Sequence, residues 1–225
     1  MLFKRTFNNL HIIQNIYFKH KNFSNKKTYS LLGEDLEALK FFKNKKKGFY
    51  VDIGCYHPTH INNTYLLYKK GWNGINIDVS QFSIDLFKFM RPDDLNYKCA
   101  VSETKKKVNL YYQKEHSQLT SINKLTAKKF IKGRLKKKII NSYSLEEIFS
   151  WGKYKDYEID FLDVDVEGAD LQVLKGLNFS KRKPKLICIE IHQKNFKKHK
   201  IYRFLIKKKY KLIWQKSFSF LFKRN

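Results

Sequence analysis

The sequence predicts an α/β fold built on a mostly parallel sheet with helices on both faces, and three observations support this. Strand-like and helix-like segments alternate along most of the 225 residues, which is typical of parallel βαβ units. Several strand-like segments end in glycine or an acidic residue just before a helix begins. The last two, 211–215 and 217–222, are joined too tightly for a parallel crossover, so we expect an antiparallel pair at the end of the sheet.

In the first half of the chain, strands and helices follow each other closely. Acidic residues precede apolar residues at helical spacing over 33–42, which predicts a helix with a favourably charged start. Apolar and β-favouring residues closed by Gly54 predict a buried strand over 48–54. The next predicted elements are a helix over 62–70, a strand over 74–79, a helix over 83–90 stopped by Pro92, and strands over 97–101 and 108–112.

The second half begins with a stretch that shows no clear period. Residues 114–141 are irregular and strongly basic, and we interpret them as a mobile insertion that carries substrate selectivity. Ser144 followed by acidic residues indicates the start of a helix over 144–149. The remaining predicted elements are a strand over 159–164, a helix over 169–177, a strand over 185–191, a helix over 201–208 and the two final strands.

The length of the chain limits the number of domains, and its charge limits the classes of binding partner. At about 150 residues per domain, we expect one globular domain over 29–225 preceded by a basic N-terminal arm over 1–28. The formal charge of +27 would suit nucleic acid or an anionic membrane. Only six of the 47 cationic residues are Arg, the residue that binds phosphate oxygens in pairs. We therefore attribute most of the charge to a Lys-rich compositional bias.

Cysteine usage and hydropathy indicate a compartment. Cys55, Cys99 and Cys188 lack C-x-x-C spacing and lie in apolar stretches, so we expect reduced core residues in a cytoplasmic protein. No apolar run approaches the ~18 residues of a membrane span. The segment 10–18 is mildly amphipathic and flanked by Lys and Arg, which would allow weak peripheral contact with the inner face of an anionic membrane.

Acidic residues close the first two predicted strands at the edge where open α/β sheets bind ligands. The first strand contains Asp52 and ends at Gly54, and the second ends at Asp78. Glycine lets backbone approach a ligand closely, and the second acid can accept both hydroxyls of a ribose. A G-x-G-x-x-G fingerprint is absent, because bulky residues follow Gly54. The pattern predicts a cofactor with a ribose and no phosphate, of which S-adenosylmethionine is the common example.

A second acidic cluster follows the strand at 159–164. Asp163, Asp165 and Glu167 occupy alternate positions, and the strand at 185–191 ends in Glu190 and His192. Repulsion between these carboxylates requires a cation or shared protons. Three occupants fit: the cationic aminoalkyl end of the cofactor, a divalent metal such as Mg²⁺, or a substrate hydroxyl. The metal candidates are Asp163, Asp165 and Glu190.

Seven ordered motifs run from residue 29 to residue 192. They lie at 29–36 (YSLLGEDL), 48–58 (GFYVDIGCYHP), 63–72 (NTYLLYKKGW), 74–78 (GINID), 100–102 (AVS), 159–168 (IDFLDVDVEG) and 184–192 (PKLICIEIH). Together they resemble the FkbM family of S-adenosylmethionine-dependent methyltransferases. The resemblance implies a class I methyltransferase fold, a Rossmann-like three-layer sandwich whose seven-stranded sheet has an antiparallel final strand.

The resemblance also implies roles for individual residues. The expected cofactor-binding residues are Glu34, Asp52, Gly54, Asp78, Ala100 and Asp165. Asp78 would hold the ribose, and residues 99–101 would lie beside the adenine. The catalytic candidates are Asp165, His192 and Glu167, with Asp165 and His192 as alternative general bases.

Two positions depart from the family pattern. Leu31 stands where relatives often have Gln, which would loosen the cofactor pocket. Asp163 stands where relatives often have Asn, which adds negative charge and favours a cation.

The resemblance points to methyl transfer onto a hydroxyl oxygen of a small molecule or glycan, with sugar O-methylation foremost and a phosphate-linked acceptor included. Two alternatives remain open. A nucleic-acid methyltransferase would use the basic surface, but the chain lacks both an Asn/Asp-Pro-Pro-Tyr/Phe segment and a Pro-Cys nucleophile. A binding module without catalysis would not need the acidic strand ends that this sequence keeps.

Overall fold

The fold is described by a computed structural model over residues 9–19, 26–114 and 120–225. The strands are β1 (Phe49–Ile53), β2 (Asn73–Asp78), β3 (Leu95–Lys98), β4 (Ala100–Val101), β5 (Lys106–Tyr112), β6 (Lys136–Tyr143), β7 (Phe161–Val164), β8 (Leu186–Glu190), β9 (Tyr210–Lys216) and β10 (Ser219–Arg224). The α-helices from residue 34 onward are α1 (Glu34–Phe41), α2 (Tyr65–Lys69), α3 (Gln81–Met90), α4 (Lys124–Phe130), α5 (Leu145–Ser150), α6 (Asp170–Lys175) and α7 (Lys200–Lys207).

A seven-stranded sheet forms the centre of the molecule, in the order β3-β2-β1-β7-β8-β10-β9. The five strands from β3 to β8 pair in parallel, and β10 runs antiparallel to both β8 and β9. The predicted mostly parallel sheet with an antiparallel final strand is confirmed. Strand order reverses between β1 and β7, which is the point where open α/β sheets bind ligands.

Strand β1 shows why the sheet is covered on both faces. All five of its residues are buried. Phe49, Val51 and Ile53 join the larger apolar cluster, to which α5, α6 and α7 contribute. Tyr50, on the opposite face, joins a smaller cluster with residues of α1 and α2. Side chains alternate between the faces of a strand, so two helical layers sandwich the sheet and the predicted three-layer architecture is confirmed.

The prediction that residues 114–141 form an irregular insertion is wrong for the part that the structure describes. Within residues 120–141, α4 and most of β6 are regular elements, and β6 pairs with β5 along its length in an antiparallel ladder. The predicted strand over 97–101 is also divided. It forms the end of β3 in the large sheet and β4 in a small three-stranded sheet of order β4-β6-β5. Residues 115–119 of the predicted insertion lie outside the described residues.

Helix α2 starts three residues later than predicted. Asn62 and Thr64 precede it, and both side chains donate hydrogen bonds to Asp52, at 3.0 and 2.8 Å. Their side chains also bond locally, which competes with helix formation.

Residues 9–19 are helical, with a π-helical stretch at Gln14–Lys19. Ile12 and Ile16 are buried against Leu86 of α3, so this part of the predicted basic arm packs on the sandwich. None of the described helices combines the length and the apolar character needed to cross a membrane.

Candidate active site

A cavity of about 430 Å³ opens at the carboxyl ends of β1, β2, β7 and β8. Its size falls at the lower end of the ~300–1,000 Å³ that is usual for small-molecule sites. All ten residues predicted for the site line it: Glu34, Asp52, Gly54, Asp78, Ala100, Asp163, Asp165, Glu167, Glu190 and His192. The fold therefore brings together motifs that are up to 158 positions apart, the separation of Glu34 from His192 (192 minus 34).

Gly54 lies where the loops after β1 and β7 touch. The Asp165 amide donates to the Ile53 carbonyl at 2.9 Å, and the Gly54 amide donates to the Ile77 carbonyl at 2.9 Å. The φ angle of Gly54 is +83°, and a Cβ here would overlap the Asp165 carbonyl oxygen. Only glycine satisfies both the left-handed backbone and the close approach.

Asp78 closes β2 with its carboxylate held by backbone amides. It accepts hydrogen bonds from the amides of Tyr56 at 2.9 Å and Ser80 at 2.7 Å. Burial raises the pKa of Asp78 to about 6, although these bonds favour the charged form. The carboxylate faces the cavity beside Ala100, a placement that fits ribose hydroxyls with adenine next to them.

Asp52 is held in the cavity wall by a buried relay from Arg91. The Arg91 guanidinium donates to Thr64 Oγ1 at 2.8 Å and to Asn62 Oδ1 at 2.9 Å. Thr64 and Asn62 in turn donate to Asp52 Oδ2. Burial raises the pKa of Asp52, and the positive charge of Arg91 opposes that rise. Arg91 is itself completely buried, so Asp52 has a fixed position and a nearby compensating charge.

The same guanidinium also ties β1 and β2 together behind the cavity. It donates to the Tyr50 hydroxyl at 3.1 Å, and that hydroxyl makes a short hydrogen bond to Asp94. Asp94 also accepts from the Gly74 amide at 2.8 Å and from Asn76 Nδ2 at 2.9 Å.

Asp163 stands directly beside Asp52 in the parallel register of β1 and β7. It accepts a hydrogen bond from Asn63 at 3.1 Å. Burial raises its pKa well above the usual value, and the Asp52 charge raises it further. Glu34 lies across the cavity and accepts from the Leu32 amide at 2.8 Å. Asp163 and Asp52 are two buried carboxyls side by side, and such a pair tends to share a proton rather than both ionise.

The D-V-E-G turn after β7 carries the next two acids. Burial raises the pKa of Asp165 well above its usual value, with Glu190 and Glu167 adding like charge. Burial, again followed by the Glu190 charge, raises the pKa of Glu167 to about 7. Glu167 has a φ of +52°, so the segment leaves the extended conformation at this residue. Asp170 fixes the turn by accepting from the Val166 and Gly168 amides at 3.1 and 3.0 Å.

His192 and Glu190 form a polar pair on the rim of the cavity. Their Nε2 and Oε2 atoms are 2.8 Å apart, and this hydrogen bond raises the pKa of His192. The imidazole stacks on Phe218 with 4.8 Å between ring centroids, and Phe130 lies 5.9 Å away. The rim therefore combines a base, a carboxylate and two aromatic rings.

The region that sequence reasoning treated as an insertion contributes directly to the site. Ser121 donates to the Glu167 carbonyl at 2.6 Å. The Thr126 side chain packs so closely on Gly168 that a Cβ at Gly168 would overlap it. Phe130 comes from the end of the same helix, α4. Residues 120–130 thus hold the D-V-E-G turn as well as closing the cavity.

The metal candidates do not form a recognisable metal centre. In residues 9–19, 26–114 and 120–225, no three His, Cys, Asp or Glu side chains are placed to hold a metal ion together. Asp163, Asp165 and Glu190 all line the cavity, but Asp163 lies deep beside Asp52 whereas Glu190 lies on the rim beside His192.

Sequence reasoning missed several residues that shape the site. Arg91 could have been singled out from the sequence, because Arg is scarce in this Lys-rich chain and a buried guanidinium can bond to several partners at once. Phe218 and Ser121 could not have been found in this way, because long-range pairing brings each to the cavity. The pairing of β10 with β8 places Phe218, and an isolated bridge to Tyr111 places Ser121.

A comparison with family models agrees with the motifs. A family model described as "Methyltransferase FkbM domain" matches residues 52–212. No curated protein matches the chain. Among solved structures, a TehB-like SAM-dependent methyltransferase from Corynebacterium glutamicum is similar, with 12% sequence identity, a TM-score of 0.41 and coverage of 99% of each chain.

Proposed function

The chain belongs to the FkbM family of S-adenosylmethionine-dependent methyltransferases, and from this premise we propose that it methylates a hydroxyl oxygen of a sugar, either free or phosphate-linked. The observation that carries the proposal is the His192–Glu190 pair set between Phe218 and Phe130 on the cavity rim.

The cavity fits the cofactor on three counts. Asp78 closes β2 beside Ala100, where a ribose and an adenine would be held. Gly54 lets the loops after β1 and β7 meet at the cavity wall, where a side chain would overlap the Asp165 carbonyl. The carboxyls of Asp52 and Asp165 line the same wall and suit a cationic aminoalkyl group. When bound, S-adenosylmethionine supplies a methyl group activated by a positively charged sulfur.

The rim fits a neutral polyol. Aromatic rings such as Phe218 and Phe130 offer an apolar face, and Glu190 and Glu167 can accept hydrogen bonds from hydroxyl groups. His192 is oriented by Glu190 and would take the proton that the acceptor hydroxyl loses as the new oxygen–carbon bond forms. The imidazolium would then be the only charge gained on the protein, and Glu190 lies 2.8 Å away to compensate it. Holding the two reactants in line supplies much of the acceleration.

The basic surface supports a phosphate-linked acceptor. The cavity wall includes Leu110 of β5, and the paired strands β5 and β6 carry exposed lysines at 106, 107, 136 and 137. These cations can attract an anionic group outside the acidic cavity. The three cysteines are free and buried, which supports the cytoplasmic location that we propose.

A methyl-labelling screen tests the proposal. The purified chain is incubated with methyl-labelled S-adenosylmethionine and, separately, neutral sugars, sugar nucleotides, lipid-linked glycans and RNA, each with and without a chelator. We expect label in a sugar-containing acceptor, as an ether that survives alkaline treatment. Loss of activity with chelator and recovery with Mg²⁺ would show that the reaction needs a metal.

Two outcomes would overturn the proposal. Methylation of RNA alone would favour the basic surface as the substrate site. Calorimetry with S-adenosylhomocysteine distinguishes the other alternative: binding without methylation of any acceptor class would indicate a module that keeps the cofactor site and lacks catalysis. The variant Asp78→Asn serves as the negative control for cofactor-dependent signal.

A further inference from the structure

The helical segment of residues 9–19 has apolar side chains on two of its faces. One face is used in folding, because Ile12 and Ile16 are buried against α3. The other face leaves Leu10, Ile13 and Phe18 in solvent, with Leu10 61% and Phe18 71% exposed. A helix that already packs through one apolar face does not need a second one for stability.

The exposed face continues onto α3. Phe89 of α3 is 47% exposed, and its ring meets Tyr17 edge-on with 6.3 Å between centroids. Leu10, Ile13, Phe18 and Phe89 are here called the apolar patch. Clustered apolar side chains of this size in solvent typically indicate an interaction surface.

The part of the sequence that carries most of the apolar patch is cationic. No Asp or Glu occurs before Glu34 in the sequence. The cationic residues of the same stretch are Lys4, Arg5, Lys19, Lys21, Lys26 and Lys27. The partner should therefore combine negative charge with an apolar layer.

We propose that the apolar patch docks on an anionic lipid surface. A second copy of the chain would be repelled, because each copy has a net charge of +27. The N-terminal segment of that copy would also supply no acidic residue to pair with the lysines. A bilayer with anionic headgroups supplies both components: side chains such as Phe18 insert at the acyl boundary, and Lys and Arg of the same segment are attracted to the headgroups. This inference does not depend on the methyl-transfer reaction.

Vesicle co-sedimentation of the full chain tests the docking. Vesicles of phosphatidylcholine alone are compared with vesicles containing phosphatidylglycerol, and we expect binding to the anionic vesicles only. The double variant Leu10→Gln/Phe18→Gln should weaken that binding about tenfold or more, since both apolar anchors are lost. Circular dichroism verifies that the variant folds.

A matched double variant controls for general loss of hydrophobicity. Leu125 and Ile139 are 78% and 69% exposed on α4 and β6, and Leu125→Gln/Ile139→Gln should bind the vesicles like the parent chain. The proposal is overturned if the parent ignores anionic vesicles, if Leu10→Gln/Phe18→Gln binds as tightly as the parent, or if the control variant is the one that loses binding. A concentration-dependent dimer in sedimentation equilibrium that is abolished by Leu10→Gln/Phe18→Gln would instead assign the apolar patch to a second copy.

Discussion

Asp165 carries a half-buried carboxyl on the cavity wall, where we propose that the cofactor and the acceptor meet. Its neighbours Glu190 and Glu167 raise its pKa in addition to burial, so the group binds a proton readily. Replacing it with a neutral isostere removes that capacity with little change in shape. If Asp165 rather than His192 takes the proton, Asp165→Asn abolishes turnover and leaves cofactor affinity within a few-fold, because Asp52 still faces the cationic end of the cofactor.

Labelled-methyl transfer and calorimetry measure the two effects of Asp165→Asn. Asp156→Asn is the matched control, because Asp156 is exposed and does not line the cavity. Unchanged turnover would remove Asp165 from the catalytic role and leave His192 as the general base.

The His192–Glu190 pair predicts a pH dependence. A base must be unprotonated, so the rate should rise with pH through the pKa of His192. Glu190 raises that pKa through the 2.8 Å hydrogen bond. Glu190→Gln removes the negative charge, and the rising limb of the kcat profile should move to lower pH. A limb that stays in place, with only a lower maximum, would indicate that Glu190 does not set the protonation of His192.

The role of Gly54 can be tested by comparison with Gly71, which has a similar backbone conformation but open space where a side chain would lie. Gly54 and Gly71 have φ angles of +83° and +87°, but nothing lies within 4 Å of a Cβ built at Gly71. Alanine at either position costs roughly 1–2 kcal/mol for the left-handed backbone. Only Gly54→Ala adds the overlap with the Asp165 carbonyl. We predict that Gly71→Ala keeps cofactor affinity while Gly54→Ala loses at least tenfold, measured by calorimetry with S-adenosylhomocysteine.

At the scale of elements, the sequence predicts the strands that are buried on both faces and misses β6, which is largely exposed. Strands β1, β7 and β8 are apolar runs flanked by glycine or acid, and their shared edge could be inferred from topology rules alone. Strand β6 begins with three lysines and exposes Ile139 while it buries Ser142. No hydrophobic alternation marks it, because its stability comes from pairing with β5.

The site shows the same division. The acids that close buried strands, such as Asp52 and Asp78, could be located because the strands themselves could. Phe130 and Ser121 could not, since their places depend on how β5 pairs with β6 and with Ser121 itself. Local sequence therefore predicts the cofactor side of the cavity better than the acceptor side.

The contact between residues 120–130 and the D-V-E-G turn gives a prediction at this scale. Ser121 donates to the Glu167 carbonyl and accepts from the Asn123 amide at 2.9 Å. Ser121→Ala removes both bonds, each of about 1 kcal/mol, and loosens the acceptor side. The KM for the acceptor should rise several-fold, with cofactor affinity unchanged.

Ser150→Ala is the control for Ser121→Ala. Ser150 makes a hydrogen bond of the same 2.6 Å length to the Glu147 carbonyl, but on an exposed surface away from the cavity. A larger change in cofactor affinity than in KM for Ser121→Ala would contradict the assignment of residues 120–130 to the acceptor side.

At the scale of the whole molecule, the charge is divided between an acidic cavity and a basic exterior. The chain has 47 cationic and 20 acidic residues. Seven acids of the described residues line the cavity: Glu34, Asp52, Asp78, Asp163, Asp165, Glu167 and Glu190. Most of the positive charge comes from lysines spread along the chain, whereas many of the acids are concentrated in the cavity. Without a cationic ligand, the protein therefore keeps mutually repelling carboxyls in a confined space.

This arrangement predicts that the ligand-free protein loses stability as pH rises. Burial raises the pKa of Asp78 to about 6 and that of Glu167 to about 7, so the folded state holds protons that the unfolded state releases. For Asp78 alone the linked destabilisation between pH 4 and pH 7 is roughly 2 kcal/mol. The thermal unfolding midpoint should fall as the pH is raised from about 5.5 to about 8, because stability is lost as the pH rises through the folded-state pKa values. Asp78→Asn should reduce the fall, and bound S-adenosylmethionine, a cation, should reduce it too. A midpoint that instead rises over this window would show that the cavity acids are ionised and compensated in the free protein.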